Sequence, residues 1–409
     1  MSQPRARSWQ HYFKYGLLLL LNINFLLRKN EANKMPQKVM TIIGTRPEAI
    51  KLVPLVLELQ SRPDEFKSVV CVTGQHREML DQVLDAFGVV ADHDLNLMAP
   101  GQSLGQITAR AVAGLTEVCE SDRPDVILVQ GDTTTAFCGA LVGHYQQIKI
   151  GHVEAGLRTG NKFSPFPEEI NRRLIGQMAD LHFPPTPHAE STLLSEGVSA
   201  DDIFLTGNTV IDTLLLTRER VTKNIPEAAQ VIQPLTENAR VVLVTGHRRE
   251  SHGQGFENIC HAIRNVADKF GDVNFIYPVH LNPKVQEPVN RILGDHPGIH
   301  LVAPLSYEPF VWLLDQSDIV LTDSGGVQEE APSFGKPVLV MRDTTERPEG
   351  VEAGNAKLVG TCQATIESEL ARLLSDPSAY SKMADAQNPY GDGTASRQIA
   401  DALASHAEK

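Results

Sequence analysis

Residues 125–153 read DVILVQGDTTTAFCGALVGHYQQIKIGHV, and this stretch decides the fold class. Residues 125–130 form a short, nearly continuous apolar run, the pattern of a strand covered on both faces. Gly131-Asp132-Thr133-Thr134-Thr135 breaks the run, and the small-residue segment 136–145 has helical length. A second apolar run, residues 148–153, follows at once. Strand, helix and strand in that order make a βαβ unit, which builds a parallel sheet with helices on its faces.

The same unit recurs outward in both directions. Towards the N-terminus, residues 39–43 are a buried strand closed by Gly44-Thr45-Arg46-Pro47-Glu48. A helix over 50–59 follows, with Pro54 tolerable only in its first turns. Residues 68–73 are the next strand and 78–87 a helix; 92–105 is a polar loop before a helix ending near Val118. Towards the C-terminus, strands at 181–183 and 203–205, with a helix after Pro187 between them, complete a first array. Thr206-Gly207-Asn208-Thr209 is the joint, followed by a helix over 210–221. A second array has strands at 241–245, 274–277, 299–302, 319–321 and 338–341, and a short one at 357–359. Its helices fall at 255–270, 283–293, 308–316, 324–334 and 364–375. The expected fold class is α/β, with two Rossmann-like doubly wound domains over 35–207 and 208–388. Residues 389–409 return a helix to the first domain, and a site lies in the interdomain cleft.

Composition narrows the function. A chain of 409 residues is too long for one core. Hydrophobic residues at 42% and charged residues at 21% are the balance of a globular protein. A net charge of -13 argues against nucleic-acid binding, so an anionic ligand must be met by local cations and helix N-termini. Five scattered cysteines with no C-x-x-C pairing read as reduced core thiols of a cytoplasmic protein, and no metal site is read. Residues 1–34 stand apart. Six basic residues against one acid precede and follow an apolar run over 16–27, too short for a bilayer span. This leader is read as an upstream extension without a role in the fold, with Met35 as the working start.

Chemistry concentrates at the ends of the strands. Neither half contains G-x-G-x-x-G or G-x-x-x-x-G-K-[ST], so nicotinamide and Walker-type sites are unsupported. Thr322-Asp323-Ser324-Gly325-Gly326 follows a strand instead, with Ser324 placed to cap a helix and the glycines admitting an anion to backbone N–H groups. Glu330 lies two turns on, placed to accept from ribose hydroxyls. Gly246-His247-Arg248-Arg249 and Arg342 to Glu349 bring further donors to the same edge. The first half answers with Arg46 and Lys51, then with Asp132, Glu154 and Glu168 on successive strand ends. Such convergent carboxylates are expected to raise one another's pKa and so supply both an acid and a base.

Read as motifs, these stretches become specific. GTRPEAIK (44–51), QHREMLDQVL (75–84), QGDTTT (130–135), GHVEAGLRTG (151–160), PEEINRRL (167–174) and GNTVIDTL (207–214) lie in the first half and joint. TGHRRES (245–251), YPVHLNP (277–283), LTDSGGVQEEAPSFGKPV (321–338), RDTTERPEG (342–350) and NPYGDG (388–393) lie in the second. Together they resemble the bacterial, non-hydrolysing UDP-N-acetylglucosamine 2-epimerases over essentially everything after Met35. The resemblance implies a GT-B arrangement of the two domains, a homodimer and no cofactor. It implies reversible epimerisation at C2 between UDP-N-acetylglucosamine and UDP-N-acetylmannosamine through a 2-acetamidoglucal, supplying N-acetylmannosamine units for cell-surface polysaccharide.

The family's catalytic groups fall here on Asp132, Glu154, Glu168 and His247. Its contacts to UDP and sugar fall on Arg46, Lys51, Asp132, Glu154, His247, Phe310, Ser324, Gly325, Gly326, Glu330 and Arg347. A second UDP-N-acetylglucosamine, acting as allosteric activator in some members, would meet Gln75, Glu169, Arg248 and His280. The chain departs from some members at Gly101, where they carry arginine, and at Leu305, where they carry glutamine. A hydrolysing epimerase releasing free N-acetylmannosamine, a GT-B glycosyltransferase and a non-catalytic UDP-sugar sensor are the alternatives.

Overall fold

Apolar side chains occupy both faces of the central strands because helices cover both faces. The computed structural model describes residues 35–74, 77–97, 99 and 101–406. In the first half, β1 (Gln37–Ile43), β2 (Phe66–Val72), β3 (His93–Asp94), β4 (Val126–Gln130), β5 (Lys149–Val153) and β6 (Leu181–Phe183) form one sheet. All pairings are parallel, in the order β3-β2-β1-β4-β5-β6. Alternation along β1 sends Val39 and Ile43 to one core with Leu52, Leu55 and Leu59. Met40 and Ile42 go to the other, with Cys71, Leu115 and Ile127.

The second half repeats this plan. Its strands are β7 (Arg240–Thr245), β8 (Val273–Pro278), β9 (Ile299–Val302), β10 (Ile319–Thr322), β11 (Val338–Val340) and β12 (Ala356–Leu358). They run parallel in the order β12-β11-β10-β7-β8-β9. Strand order reverses between β1 and β4 in one sheet and between β7 and β10 in the other. Crevices open at the carboxyl ends of strands at such reversals.

Several details differ from the sequence expectation. Pro54 lies well inside helix Arg46–Ser61, beyond its first turns. Its missing N–H would leave the Ile50 carbonyl without a partner, but the Thr213 hydroxyl donates to that oxygen from helix Thr209–Lys223. Residues 203–205 are not a strand. Ile203 makes one bridge to His182, and Phe204 N and Thr206 N donate to the carbonyls of His182 and Pro184. Pro184 and Pro185 have no N–H with which to return bonds. The loop over 92–105 contains β3, a strand of only two residues and too short to show a period. The helix after it, expected to end near Val118, runs on as Leu104–Asp122. Residues 324–334 divide into helix Gly325–Glu330 and a tighter 3₁₀ turn, Ala331–Phe334, where Pro332 removes a helical donor.

The chain then crosses back. Helix Ala395–His406 lays Ile399, Ala400 and Leu403 against the first sheet's core beside Leu52. Its first turn is held by the Asp212 carboxylate, which accepts from Ala395 N at 3.3 Å and Ser396 N at 2.8 Å. No described helix is long and apolar enough to cross a membrane.

Candidate active site

The site begins where β1 and β4 end side by side. A Cβ on Gly44 would stand 2.2 Å from Thr135 Oγ1, so only glycine lets the two strand-end turns abut. Glu48, in the first turn of helix Arg46–Ser61, fastens them. Its Oε1 accepts from the Thr133 hydroxyl at 2.7 Å and its Oε2 from Gly44 N at 3.2 Å. Thr133 also caps helix Thr134–Tyr145 by accepting from Ala136 N at 3.0 Å. Glu48 is 1% exposed, and burial pushes its carboxyl up to about 7 despite the hydrogen bonds from Thr133, Thr45 and Gly44. Sequence reasoning passed over Glu48. The available signal was an acid one turn before Leu52 on the buried side of an apolar helix.

Glu154 follows β5 with φ of 62°, in the left-handed region that few residues with a side chain occupy. Nothing in the sequence announces this conformation. Its carboxylate receives Lys51 Nζ at 2.7 and 2.6 Å, Gln130 Nε2, and Asn208 Nδ2 at 3.3 Å. Burial alone would raise its pKa, but Lys51, Arg347 and Arg172 outweigh burial and hold Glu154 below the usual carboxylate range. The expected mutual raising of the acids therefore does not apply to Glu154, because cations face it more closely than other carboxylates do. Burial likewise opposes the charge on Lys51, and Glu154 and Glu329 overcome that opposition to raise its pKa.

The other acids of this half have different surroundings. Asp132 pairs with Arg172, and Asn171 Nδ2 donates to its backbone carbonyl at 2.9 Å. Glu168 is half-buried in the first turn of helix Glu168–Met178. Its neighbour Glu169 is fully buried and accepts from Thr159 N at 3.0 Å and Gly160 N at 3.2 Å, with Arg173 Nε at 3.1 Å. All of these donors belong to the protein, so Glu169 fixes the loop after β5. Gln75 lies outside the described residues.

In the second half the corresponding crevice is built on Asp323. Its Oδ2 accepts from His247 N at 2.7 Å and Arg248 N at 2.8 Å, tying the end of β7 to that of β10. Asp323 Oδ1 lies 3.6 Å from His247 Nδ1, and the ring of His247 stacks on that of His280 with centroids 5.2 Å apart. Burial lowers the pKa of His247, Asp323 opposes, and His280 and Arg248 reinforce the fall. Its imidazole is therefore neutral at neutral pH. Asp323 was quoted in the sequence but given no role; its function depends on a partner 76 positions away.

Ser324 stands at the N-cap position without capping. The turn is closed instead by Thr322 Oγ1, which accepts from Ser324 N at 3.0 Å. A Cβ on Gly326 would meet open space, and one on Gly325 would come no nearer than 4.0 Å to Arg248 Nη2. Arg248 and His280, expected at an activator site, thus border the Ser324–Gly326 turn and His247 respectively. Burial and the neighbouring Glu329 push Glu330 up to about 8, and Tyr307 OH lies 3.5 Å from it. Lys51 and Arg46 of the first half act on Glu330 in the opposite direction, so those cations face it across the cleft. Phe310 is half-buried against the core beneath that wall.

Arg347 donates to Glu329, whose other oxygen accepts from Asn208 Nδ2 at 2.9 Å. Asn208 also reaches Glu154, so Lys51, Glu154, Asn208, Glu329 and Arg347 form one unbroken chain from the first sheet to the second. Lys51, Glu154 and Arg347 were named from the sequence; Gln130, Asn208 and Glu329 were not. Together with His247, such a cluster offers a carboxylate held in its ionised form, an imidazole biased to its neutral form and a group of cations where the strand ends of the two sheets meet. That combination suits proton transfer beside a bound anion.

Comparison with known proteins gives a consistent result. Residues 57–404 match the family model for UDP-N-acetylglucosamine 2-epimerase. The UDP-N-acetylglucosamine 2-epimerase of Escherichia coli K12 is 54% identical over 369 residues, which is 90% of this chain and 98% of that protein. The enzyme of the same name from Bacillus subtilis is also 54% identical over 369 residues, covering 90% of this chain and 95% of its own. A crystal structure of UDP-GlcNAc 2-epimerase from Neisseria meningitidis bound to UDP-GlcNAc superposes with a TM-score of 0.79. It is 48% identical and covers 90% of this chain and 99% of that one.

Proposed function

The chain belongs to the UDP-N-acetylglucosamine 2-epimerase family, and from that premise we propose that it is a non-hydrolysing epimerase. It interconverts UDP-N-acetylglucosamine and UDP-N-acetylmannosamine by loss and return of UDP. The observation that carries this reading is the setting of Glu154, a carboxylate kept ionised by donors from three elements and the facing domain.

The chemistry requires that order of events. The C2 proton is not adjacent to a carbonyl, so a carboxylate cannot remove it from the intact substrate at a useful rate. When the C1–O bond breaks, its electron pair leaves with the diphosphate and the ring becomes oxocarbenium-like. The C2 proton is then acidic, and a carboxylate takes it while the C–H electrons form the C1=C2 bond of a 2-acetamidoglucal. Delivery of a proton to the opposite face of C2, with return of the diphosphate oxygen to C1, gives the epimer. Glu154 is suited to remove a proton, and Asp132 and Glu168 are the groups available for the other face. His247, whose backbone N is held by Asp323, would hydrogen-bond the leaving diphosphate through its imidazole and stabilise the charge that develops there.

UDP must stay bound between the two halves of the reaction. Arg46, Lys51, Arg347 and the Ser324-Gly325-Gly326 turn would hold the diphosphate, with Phe310 and Glu330 at the nucleoside. The domains over 35–207 and 208–388, in a GT-B arrangement, would close on it while residues 389–406 tie them together. A homodimer in the cytoplasm, feeding cell-surface polysaccharide, completes the reading. A second UDP-N-acetylglucosamine beside Arg248 and His280 would act as activator, with Glu169 supporting that loop and not contacting the ligand.

Incubation with UDP-N-acetylglucosamine in D₂O, followed by NMR, tests the reaction. Deuterium at C2 with accumulating UDP-N-acetylmannosamine is expected. Free N-acetylmannosamine with UDP would mean a hydrolysing enzyme, and binding without exchange would mean a sensor. Glu154→Gln should abolish exchange while UDP binding persists; loss of UDP binding in a folded variant would assign Glu154 to ligand contact.

A further inference from the structure

Asn208 sits at the joint between the two sheets, 3% exposed, and uses every polar group it has. Its backbone N donates to Tyr390 O at 2.7 Å, and its Oδ1 caps helix Thr209–Lys223 by accepting from Val210 N at 3.1 Å. Capping alone would be served equally by Asp or Ser. The side-chain amide does something those residues cannot. It donates to Glu154 Oε1 at 3.3 Å and to Glu329 Oε2 at 2.9 Å, one carboxylate from each half of the molecule.

We propose that Asn208 is a positioning residue that couples capture of the nucleotide diphosphate to the orientation and charge of Glu154. The two cations at the ends of the chain, Lys51 and Arg347, are paired to Glu154 and Glu329 respectively. A diphosphate drawn to those cations competes with both carboxylates for them. Glu154 and Glu329 are then like charges sharing one neutral donor, and two carboxylates at one site disfavour each other's ionised form. The Asn208 amide satisfies an oxygen of each and keeps Glu154 aimed while its lysine is shared with the ligand. Movement of Arg347 onto the nucleotide is felt at Glu154 through Glu329 and this amide, without any direct contact between base and nucleotide.

The inference rests on the epimerase reading above. It is tested with Asn208→Asp in the full chain, which keeps the helix cap but exchanges the donor for a third carboxylate. Deuterium incorporation at C2, the KM for UDP-N-acetylglucosamine, UDP binding by calorimetry and the pH profile are measured together. Exchange should fall about 10²-fold, the loss expected when a reacting group is displaced by about 1 Å. The acidic limb of the rate profile should also move to higher pH, because Glu154 gains a like charge. Lys51, Gln130, Arg172 and His152 in the first half, and Glu329 and Arg347 in the second, already face Glu154. None of them is altered, so a moved limb reports Asn208.

Glu329→Gln is the second variant. It keeps an acceptor for Asn208 and removes the neighbouring charge, so the limb should move to lower pH. A folded Asn208→Asp protein with wild-type exchange, or with slow exchange and an unmoved limb, overturns the coupling. If Asn208→Asp does not fold, an unmoved limb in Glu329→Gln overturns it equally. A wild-type chain that binds UDP but exchanges no deuterium removes the epimerase reading and the coupling with it, whereas wild-type exchange with unaffected variants removes the coupling alone.

Discussion

Replacing Glu48 by Gln should change how stability depends on pH, and the structure gives both the sign and the size. Glu48 is buried where the ends of β1 and β4 meet, and its carboxyl is pushed from an ordinary 4.5 up to about 7. Between those values the native protein holds a proton that the unfolded chain has released. Stability contributed at this position is therefore fully present below pH 4.5 and is lost as pH rises through about 7. At about 1.4 kcal/mol per pH unit, that interval corresponds to about 3 kcal/mol. Glutamine has no proton to release. It can accept through one oxygen only, so either Thr133 or Gly44 loses its bond, at a cost of about 1–3 kcal/mol that does not vary with pH. Urea unfolding followed by circular dichroism at pH 5, 6, 7 and 8 separates the two effects, because other titrating groups cancel in the difference between the proteins. Glu48→Gln should gain about 2.5 kcal/mol on the wild type across that range. Parallel stability profiles would refute the assignment of a buried, proton-holding Glu48.

Two further perturbations test how the halves are held. Thr213→Val removes the hydroxyl that satisfies the Ile50 carbonyl left open by Pro54, and should cost about 1–3 kcal/mol in urea unfolding. The loss should shrink in a Pro54→Ala background, where residue 54 again donates to Ile50. Gly156→Ala combines φ of 90° with a Cβ only 2.3 Å from Ala189 O and should cost about 3 kcal/mol, read as a fall in melting temperature. Gly160→Ala, with φ of 76° and no atom within 4 Å, should cost only about 1 kcal/mol.

The two parallel sheets were legible because their strands are buried on both faces, and continuous apolar runs such as 126–129 and 241–244 record that directly. Strand ends were legible for the same reason, and they carried Arg46, Asp132, Glu154, His247 and Ser324 with them. What escaped the sequence were effects that need a distant partner. Asp323 gains its role from His247, Glu329 from Arg347, and the cap at Asn208 looks ordinary until two carboxylates arrive at its amide. Pro54 reads as a helix breaker because nothing local hints that Thr213 will take up the freed carbonyl. Period and propensity describe neighbours along the chain, whereas these pairs join residues up to 163 positions apart.

The negative charge of the chain gives the ion chain its meaning. With a net charge of -13, the long-range field repels a nucleotide diphosphate, so affinity has to come from a few cations held at short range. A cluster of unpaired cations in a buried cleft would cost much in desolvation. Pairing Lys51 with Glu154 and Arg347 with Glu329 meets that cost in advance. On the proposed epimerase reading, a diphosphate would then bind by exchange, displacing carboxylates from cations that are already in place. The carboxylate freed of its lysine would become a stronger base at the moment the leaving group is gripped. Glu154 occupies left-handed backbone at φ of 62°, and its side chain is fixed from helix Arg46–Ser61, from β4 and from the joint at once. A residue constrained on that many sides cannot follow its lysine to the ligand. On that reading, exchange of partners with Glu154 held in place would link binding of the leaving group to removal of the C2 proton within one cluster.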